Sequence, residues 1–346
     1  MNPTRYLGNL LIAGGLIQHF ARYCDERGIE FKVVLDAAFA ELLQGALPAS
    51  SLLLYPRHRI KQAHGIGKLL EYWRFLREMR RFRANIAFNI EEDSVSHRLT
   101  QWSGAGFRLG CSQQRHRFGY ERVEPVEFVA RAVGEQHRWY SFQQMFALLG
   151  LPRSQPAYLQ LPWQPIGTAL TLKLQNAGID FGKQQVVLHA GATKDYKKWP
   201  SRYFAALCEA LRDPRRQVVF IGAGTDAAEI DAVLQLVAQP HTGIVNLCNR
   251  LSLVELSHYL RRVRAMVGND SGPFHLAAAV GVAGFVIFGP TNVALWGPLS
   301  ERTQVLQSDE GCATGCTRQH CVAQHRCLNS ITPAKVLARL QPLLDS

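Results

Sequence analysis

The chain has no apolar run approaching the roughly 18–20 residues that a helix needs to cross a bilayer, which excludes a helical integral membrane protein. Its opening residues, Met1-Asn2-Pro3-Thr4-Arg5, lack the layout of a secretory signal, so export is not expected. Low-complexity tracts and short-period repeats are absent. Acidic residues are the scarce charge: 27 Asp and Glu face 39 Lys and Arg, and the net +12 points to a polyanionic partner or substrate. Nucleic acid is one such polyanion, but none of its common recognition modules is present. Apolar residues at 47% and charged residues at 19% describe a folding chain, not a disordered one. At 346 residues it exceeds what one hydrophobic core usually serves, so two domains are expected.

The cysteines show no disulfide framework. Cys24, Cys111, Cys208 and Cys248 are scattered through apolar or helical stretches and read as small buried residues, which favours a cytosolic setting. Cys312, Cys316, Cys321 and Cys327 instead fall in one short segment.

In the second half, short apolar runs at Val186–Leu188, Val218–Ile221, Ile244–Leu247, Ala265–Val267 and Phe285–Phe288 read as strands. They alternate with helical patterns at Tyr203–Leu211, Ala227–Val237, Leu253–Arg261 and His275–Val280. Strands apolar almost throughout, alternating with helices, imply a parallel sheet covered on both faces. The first half repeats the theme less regularly, with strands at Phe31–Leu35, Ser51–Tyr55 and Ile86–Ile90 and helices at Leu10–Tyr23, Ala37–Leu43 and Gly67–Phe82. A proline-rich stretch, Gln155–Gly167, reads as the linker. The expected architecture is α/β: two Rossmann-like, doubly wound domains over 1–160 and 168–331, facing across a cleft. A terminal helix over 332–346 is free to return to the N-terminal domain.

The segment Val267–Ala279 ends a strand, turns through Asp270-Ser271-Gly272 and opens a small-residue helix with Pro273 in its first turn. Asp270 or Ser271 can cap that helix, whose free amides and positive dipole end suit an anionic group. A well-capped helix would look the same; His275 in the first turn, a donor beside that anion, favours the binding reading. Leu188–Pro200 likewise follows a strand and precedes a helix, and offers Thr193, Lys194, Lys197 and Lys198 to a diphosphate. A solvated basic turn is the plain alternative, weakened by Trp199. In a doubly wound sheet both loops would lie at the strand ends that surround a ligand. Gly222-Ala223-Gly224-Thr225-Asp226 resembles a dinucleotide fingerprint. That motif wants a carboxylate about 20 residues on, where Val245-Asn246-Leu247-Cys248 has none, so a dehydrogenase is the lesser alternative.

Together, His189–Pro200, Gly222–Asp226, Asn246–Leu253, Asp270–Ala277 and Phe288–Thr291 resemble the donor half of glycosyltransferase family 9, the bacterial lipopolysaccharide heptosyltransferases. The likeness runs over most of Val186–Leu340. It implies a GT-B fold, ADP-heptose as donor, no required cofactor, and metal-independent transfer with inversion onto the lipopolysaccharide core or lipid A. It further implies that Thr193 and Lys197 hold the diphosphate, that Asp226 lies near the nucleoside and Leu251 against the adenine. Asp270, Ser271, Gly272 and His275 match the family's phosphate-binding turn, with Lys197 and His275 stabilising the leaving group. The chain also contains no Asp-x-Asp pair, in keeping with a transferase that binds its nucleotide sugar without a divalent ion.

Family members open with a strand and a Gly-Asp turn whose Asp serves as general base. Here Gly8-Asn9 resembles that turn, but an amide cannot take a proton from a sugar hydroxyl at neutral pH. Glu91, Glu92 and Asp93 are substitute candidates by position, against the plainer reading of a solvated acidic turn. A homologue that binds nucleotide sugar or glycolipid without catalysis is the competing class.

Nine Lys or Arg lie between Arg57 and Arg83 against two Glu, which supplies +7 of the net +12. Leu69, Leu70, Trp73, Leu76 and Phe82 recur there at helical spacing, a stripe expected to pack on the sheet. Arg57, Arg59, Lys61, Arg74, Arg77, Arg80 and Arg81 form the expected face toward an anionic membrane or phosphorylated glycolipid, and Arg115, His116, Arg117 and Arg122 extend it. The clustered cysteines, spaced Cys-x3-Cys-x4-Cys-x5-Cys, suit a structural zinc or iron, or reduced thiols or a disulfide. The expectation is thus a monomeric enzyme on the cytoplasmic face of the inner membrane, with nucleotide sugar and glycolipid as partners.

Overall fold

The computed structural model describes residues 6–91, 93–111, 122–124, 137–308, 321–322 and 324–345, with 111 and 122–124 described by their backbone alone. The chain separates into two compact units, Met1–Pro162 and Trp163–Ser346.

The first unit runs α1 (Leu7–Asp25), β1 (Val33–Asp36), α2 (Ala40–Leu43), β2 (Leu52–Tyr55), α3 (Arg57–Gln62), α4 (Gly65–Arg81), β3 (Ile86–Asn89), α5 (Ser94–Gln101), β4 (Phe107–Cys111), β5 (Arg122–Glu124) and α6 (Arg138–Ala147). Helix α1 buries Leu10, Leu11, Ile12, Leu16 and Ile17. The proline-rich segment crosses it closely: a Cβ on Gly15 would lie 2.2 Å from the Ala157 carbonyl oxygen, and the Leu159 N–H donates to the Leu11 carbonyl at 2.9 Å. Glycine at 15 is what permits that approach.

The strands of this unit fall into two parallel sheets. β1 pairs in parallel with β2 alone, and β3, β4 and β5 make a separate parallel sheet. A cavity of about 730 Å³ is lined from both, by Val34 and Leu53 on one side and Ile86 and Phe88 on the other. No strand precedes α1 among the described residues.

Helix α4 corrects one expectation. Its packed face is Phe75 and Met79, with Tyr72 and Leu76 partly buried against Val34, Leu53, Tyr55 and Leu99. Leu69, Leu70 and Trp73, expected to pack on the sheet, are exposed. The helix carries two apolar stripes, and only one meets the core.

The second unit runs α7 (Thr168–Asn176), β6 (Gln184–His189), α8 (Ser201–Ala210), β7 (Arg216–Phe220), α9 (Ala227–Leu234), β8 (Ile244–Asn246), α10 (Leu253–Leu260), β9 (Ala265–Asn269), α11 (Gly272–Ala279), β10 (Gly284–Phe288), α12 (Val293–Trp296), β11 (Thr303–Gln307), α13 (Arg326–Asn329) and α14 (Pro333–Asp345). All six strands are parallel, in the order β11-β10-β9-β6-β7-β8. Strands β7, β9 and β10 are buried along their whole length, as a sheet covered on both faces requires. Val186, Leu188, Val218, Phe220, Val267 and Ile287 form the core with Trp199, Phe204 and Ile230. Val336, Leu340 and Leu344 of α14 join the same core, so the terminal helix packs within the second unit. No helix among the described residues is long and apolar enough to cross a membrane.

Candidate functional site

From β6 the chain builds outward through β7 to β8; from β9 it builds the other way through β10 to β11. The reversal falls between the adjacent strands β6 and β9, and ligands of open α/β sheets bind at the carboxyl ends of strands at such a switch point. The two loops singled out in the sequence leave the sheet there: Ala190–Pro200 after β6, and Asp270-Ser271 between β9 and α11.

The loops are tied together. Asn269, fully buried at the end of β9, donates from its side-chain amide to the Ala190 carbonyl at 2.7 Å and accepts the Trp199 N–H at 2.9 Å. Trp199 is itself buried, stacks edge-on to Phe204 and donates from its indole to the Ile331 carbonyl at 2.8 Å. That anchor makes the basic turn a positioned element.

Lys197 Nζ lies 2.6 Å from Asp270 Oδ2, joining the two loops through a half-buried ion pair. Lys198 points elsewhere, to Glu229 and to Asp195. Burial works against charge on Lys198, but its hydrogen bonds to those carboxylates outweigh it and raise its pKa; the same bond holds the Asp195 carboxyl below its ordinary range. Helix α11 starts with Ser271 at its N-cap. Its first helical bond runs from the His275 N–H to the Ser271 carbonyl, and Pro273 has no N–H to give. Among the described residues the Gly272 and Phe274 amides find no acceptor, and the positive end of the helix lies behind them. His275 is buried in that first turn, and Thr193 is exposed on the facing loop.

Ser271 does not cap with its side chain, contrary to the sequence reading. Its hydroxyl sits 3.1 Å from His189 Nδ1, while the other ring nitrogen of His189 lies 3.7 Å from Asp226 Oδ2. His189 is buried, and its Nε2 has no hydrogen-bond partner among the described residues. Asp226 fills a pocket between the loops after β6 and β7. A Cβ on Gly191 would come within 2.2 Å of its carboxylate, one on Gly222 within 2.9 Å of its Cβ, and the Ala223 N–H donates to Oδ2 at 2.8 Å. Burial alone would raise the Asp226 pKa; His189, the Ala223 amide and Lys198 outweigh it and hold the carboxyl below its ordinary value. Asp226 thus packs against Gly222 of the fingerprint-like turn, while Gly224 faces Asn249 of the loop after β8.

The loop after β8 is locked to the same region, because the Asn249 N–H donates to the Gly222 carbonyl at 2.8 Å from a left-handed backbone with φ 56°. Leu251, half-buried, follows on that loop. Thr193, Lys197, Asp226, Leu251, Asp270, Ser271, Gly272 and His275 therefore all stand on loops or helix starts at one edge of the second sheet. The linking role of His189 was missed, since a buried imidazole at a strand end has no motif of its own.

In the first unit, Asn9 lies in the first turn of α1 and is partly exposed. Asp93 is the N-cap of α5: it accepts the Val95 and Ser96 N–H groups at 3.0 and 3.2 Å and the Ser96 hydroxyl, so its carboxylate is engaged in capping. Glu91 is partly exposed; Glu92 lies outside the described residues. Also missed was Asn89, fully buried at the end of β3, with its amide 3.1 Å from His97 Nδ1. Of the basic face, Arg57 is held by the buried Asp36 and is not free for a ligand. Arg59 and Arg74 lie 3.6 and 2.9 Å from Glu71, and Arg80 donates to the Trp102 carbonyl. Lys61, Arg77 and Arg81 are exposed. Arg115, His116 and Arg117 are outside the described residues, as are Cys312 and Cys316. Cys321 Sγ accepts the His325 N–H at 3.1 Å, and Cys327 is partly buried at the start of α13.

A six-stranded parallel sheet whose loops gather at its switch point defines a doubly wound α/β unit. The profile of glycosyltransferase family 9 (heptosyltransferase) matches residues 72–326, and the chain belongs to that family. It is 30% identical over 180 residues to lipooligosaccharide heptosyltransferase 2 of Campylobacter jejuni, covering 51% of this chain and 56% of that protein. With lipopolysaccharide heptosyltransferase 1 of Pseudomonas aeruginosa it shares 27% identity over 92% of this chain and 90% of that one. The matches to the first of the curated relatives span about half of those proteins' length. The solved structure of Escherichia coli ADP-heptose heptosyltransferase II has a TM-score of 0.73, at 20% identity, over 99% of this chain and 97% of that one. The fold is the α/β, GT-B fold of such enzymes.

Proposed function

We propose that the protein is an inverting glycosyltransferase that moves heptose from ADP-heptose to a hydroxyl of the lipopolysaccharide inner core, working at the cytoplasmic surface of the membrane. The observation that carries this reading is the Lys197–Asp270 pair at the switch point, beside the unspent amides of α11. A buried acid at an anion site would repel phosphate. Lys197 neutralises it and remains close enough to share its ammonium with a diphosphate.

In this reading Thr193, Lys197 and the Gly272 amide hold the diphosphate, Leu251 lies against the adenine, and His275 supports the turn. As the acceptor hydroxyl attacks the anomeric carbon, the bond from that carbon to the diphosphate oxygen breaks and negative charge grows on ADP. Lys197 and the start of α11 meet that charge in place, which is where fixed donors lower a barrier most. They supply the positive potential that a divalent cation would otherwise bring, so donor binding needs no metal. The hydroxyl proton must leave to a base, and Asn9 at the family's base position cannot accept it. Asn9 thus also supports a second reading, a homologue that binds nucleotide sugar without turning it over.

The test is release of ADP from ADP-heptose in the presence of a heptose-free core acceptor, with and without EDTA. Acceptor-dependent release that survives EDTA supports the proposal. Donor binding without release selects the second reading, and neither binding nor release overturns both.

A further inference from the structure

Helix α4 has two apolar stripes of the same spacing on opposite sides. Tyr72, Phe75, Leu76 and Met79 face the core. Ile66, Leu69, Leu70 and Trp73 are 76%, 71%, 51% and 63% exposed, values that leave four large side chains of one helix in water. At about 100° per residue those four fall within an arc of roughly 100°, directly opposite Phe75. Arg74, Arg77, Arg80 and Arg81 continue the exposed side along the last two turns, all of them exposed. The helix therefore presents an apolar first half and a cationic second half on a single outward side. Folding does not require that side, since the packed stripe is complete without it, and contiguous exposed apolar patches on a soluble chain mark interaction surfaces.

We infer that this side of α4 docks on an anionic phospholipid bilayer, with Ile66, Leu69, Leu70 and Trp73 entering the acyl boundary and Arg77 and Arg81 holding lipid phosphates. Charge decides the occupant. A second copy of this basic chain would bring like charge against like, whereas an anionic surface complements four arginines on one side. The apolar quartet adds what a purely electrostatic contact lacks: burial that salt does not screen. Trp73 suits the headgroup level, where an amphipathic ring is favoured. This rests on and deepens the proposed membrane-surface location by naming the side that docks, and it concerns residues outside the donor site, so its failure would leave donor binding untouched.

The experiment is co-sedimentation with vesicles of phosphatidylcholine alone and with about one third phosphatidylglycerol, at low and high salt, for wild type, Leu69→Ser/Trp73→Ser and Arg77→Gln/Arg81→Gln. Calorimetric ADP binding by each variant controls for folding. Wild type is expected to bind the anionic vesicles and to keep a residual part of that binding at high salt. The serine variant should bind at least tenfold more weakly at either salt. The glutamine variant should lose about fivefold per arginine at low salt. Wild type that ignores both vesicle types, or a serine variant that binds as wild type does, overturns the inference. A concentration-dependent dimer abolished by the serine substitutions would assign the side to a second copy and overturn it as well.

Discussion

Ser271 starts helix α11 yet turns its hydroxyl away from the helix, to within 3.1 Å of the buried His189 imidazole at the end of β6. Asp226, on the loop after β7, stands on the other side of that ring. Three strand ends are thereby connected through one imidazole, behind the turn proposed to receive the diphosphate.

Replacing His189 by Leu should leave the Ser271 hydroxyl and the Asp226 carboxylate without their shared neighbour. The expected cost is about 1 kcal/mol of stability, the usual worth of a hydrogen bond lost between partly buried groups. ADP affinity should fall with it, because the turn at Ser271 loses its support. Urea unfolding and ADP calorimetry check both effects, and unchanged values in both would remove His189 from the account.

Asp226 makes stability depend on pH. Its carboxyl is held below the ordinary range, so it contributes stability above its unfolded value of about pH 4 and loses it as pH falls through the lower folded value. Wild type should therefore lose more stability on acidification below about pH 5 than Asp226→Asn does. Parallel loss in the two proteins, followed by urea midpoints from pH 7 downward, would contradict the assignment.

Neighbouring lysines should separate cleanly. Lys197 pairs with Asp270 at the turn, whereas Lys198 is held by Glu229 and Asp195. Lys197→Ala should weaken ADP binding by ~10- to 100-fold, the worth of a charge-assisted phosphate contact. Lys198→Ala should leave affinity close to wild type. Equal losses at both positions would take Lys197 out of the site.

The second sheet was legible because β6, β7, β9 and β10 carry uninterrupted apolar runs that are buried on both faces. Strand β11, Thr303–Gln307, went unread: it is an edge strand with polar residues at both ends, and partial exposure allows a pattern that no periodicity rule selects. On α4 the spacing correctly announced a helix but could not say which of two equivalent stripes meets the core. The glycine-rich and lysine-bearing loops could be placed at the strand ends of one sheet edge, since turn chemistry is local. The placing of Asp226 is not local. It depends on Gly191 and Gly222, on separate loops, both leaving room for one carboxylate. The same holds for Asp93, whose acidic neighbours suggested chemistry while its position just before Ser94 made it a helix cap.

Heptosyl transfer itself is tested most directly by the rate of ADP release from ADP-heptose with a heptose-free core acceptor, measured side by side for wild type and Asn9→Asp. Asn9 occupies the first turn of α1, at the position the family gives to its base. A carboxylate there should restore proton removal, worth ~10²–10⁴-fold. The account predicts acceptor-dependent ADP release by wild type and a marked gain in the Asp variant. No acceptor-dependent release from either protein, with ADP-heptose still bound by both, would contradict it.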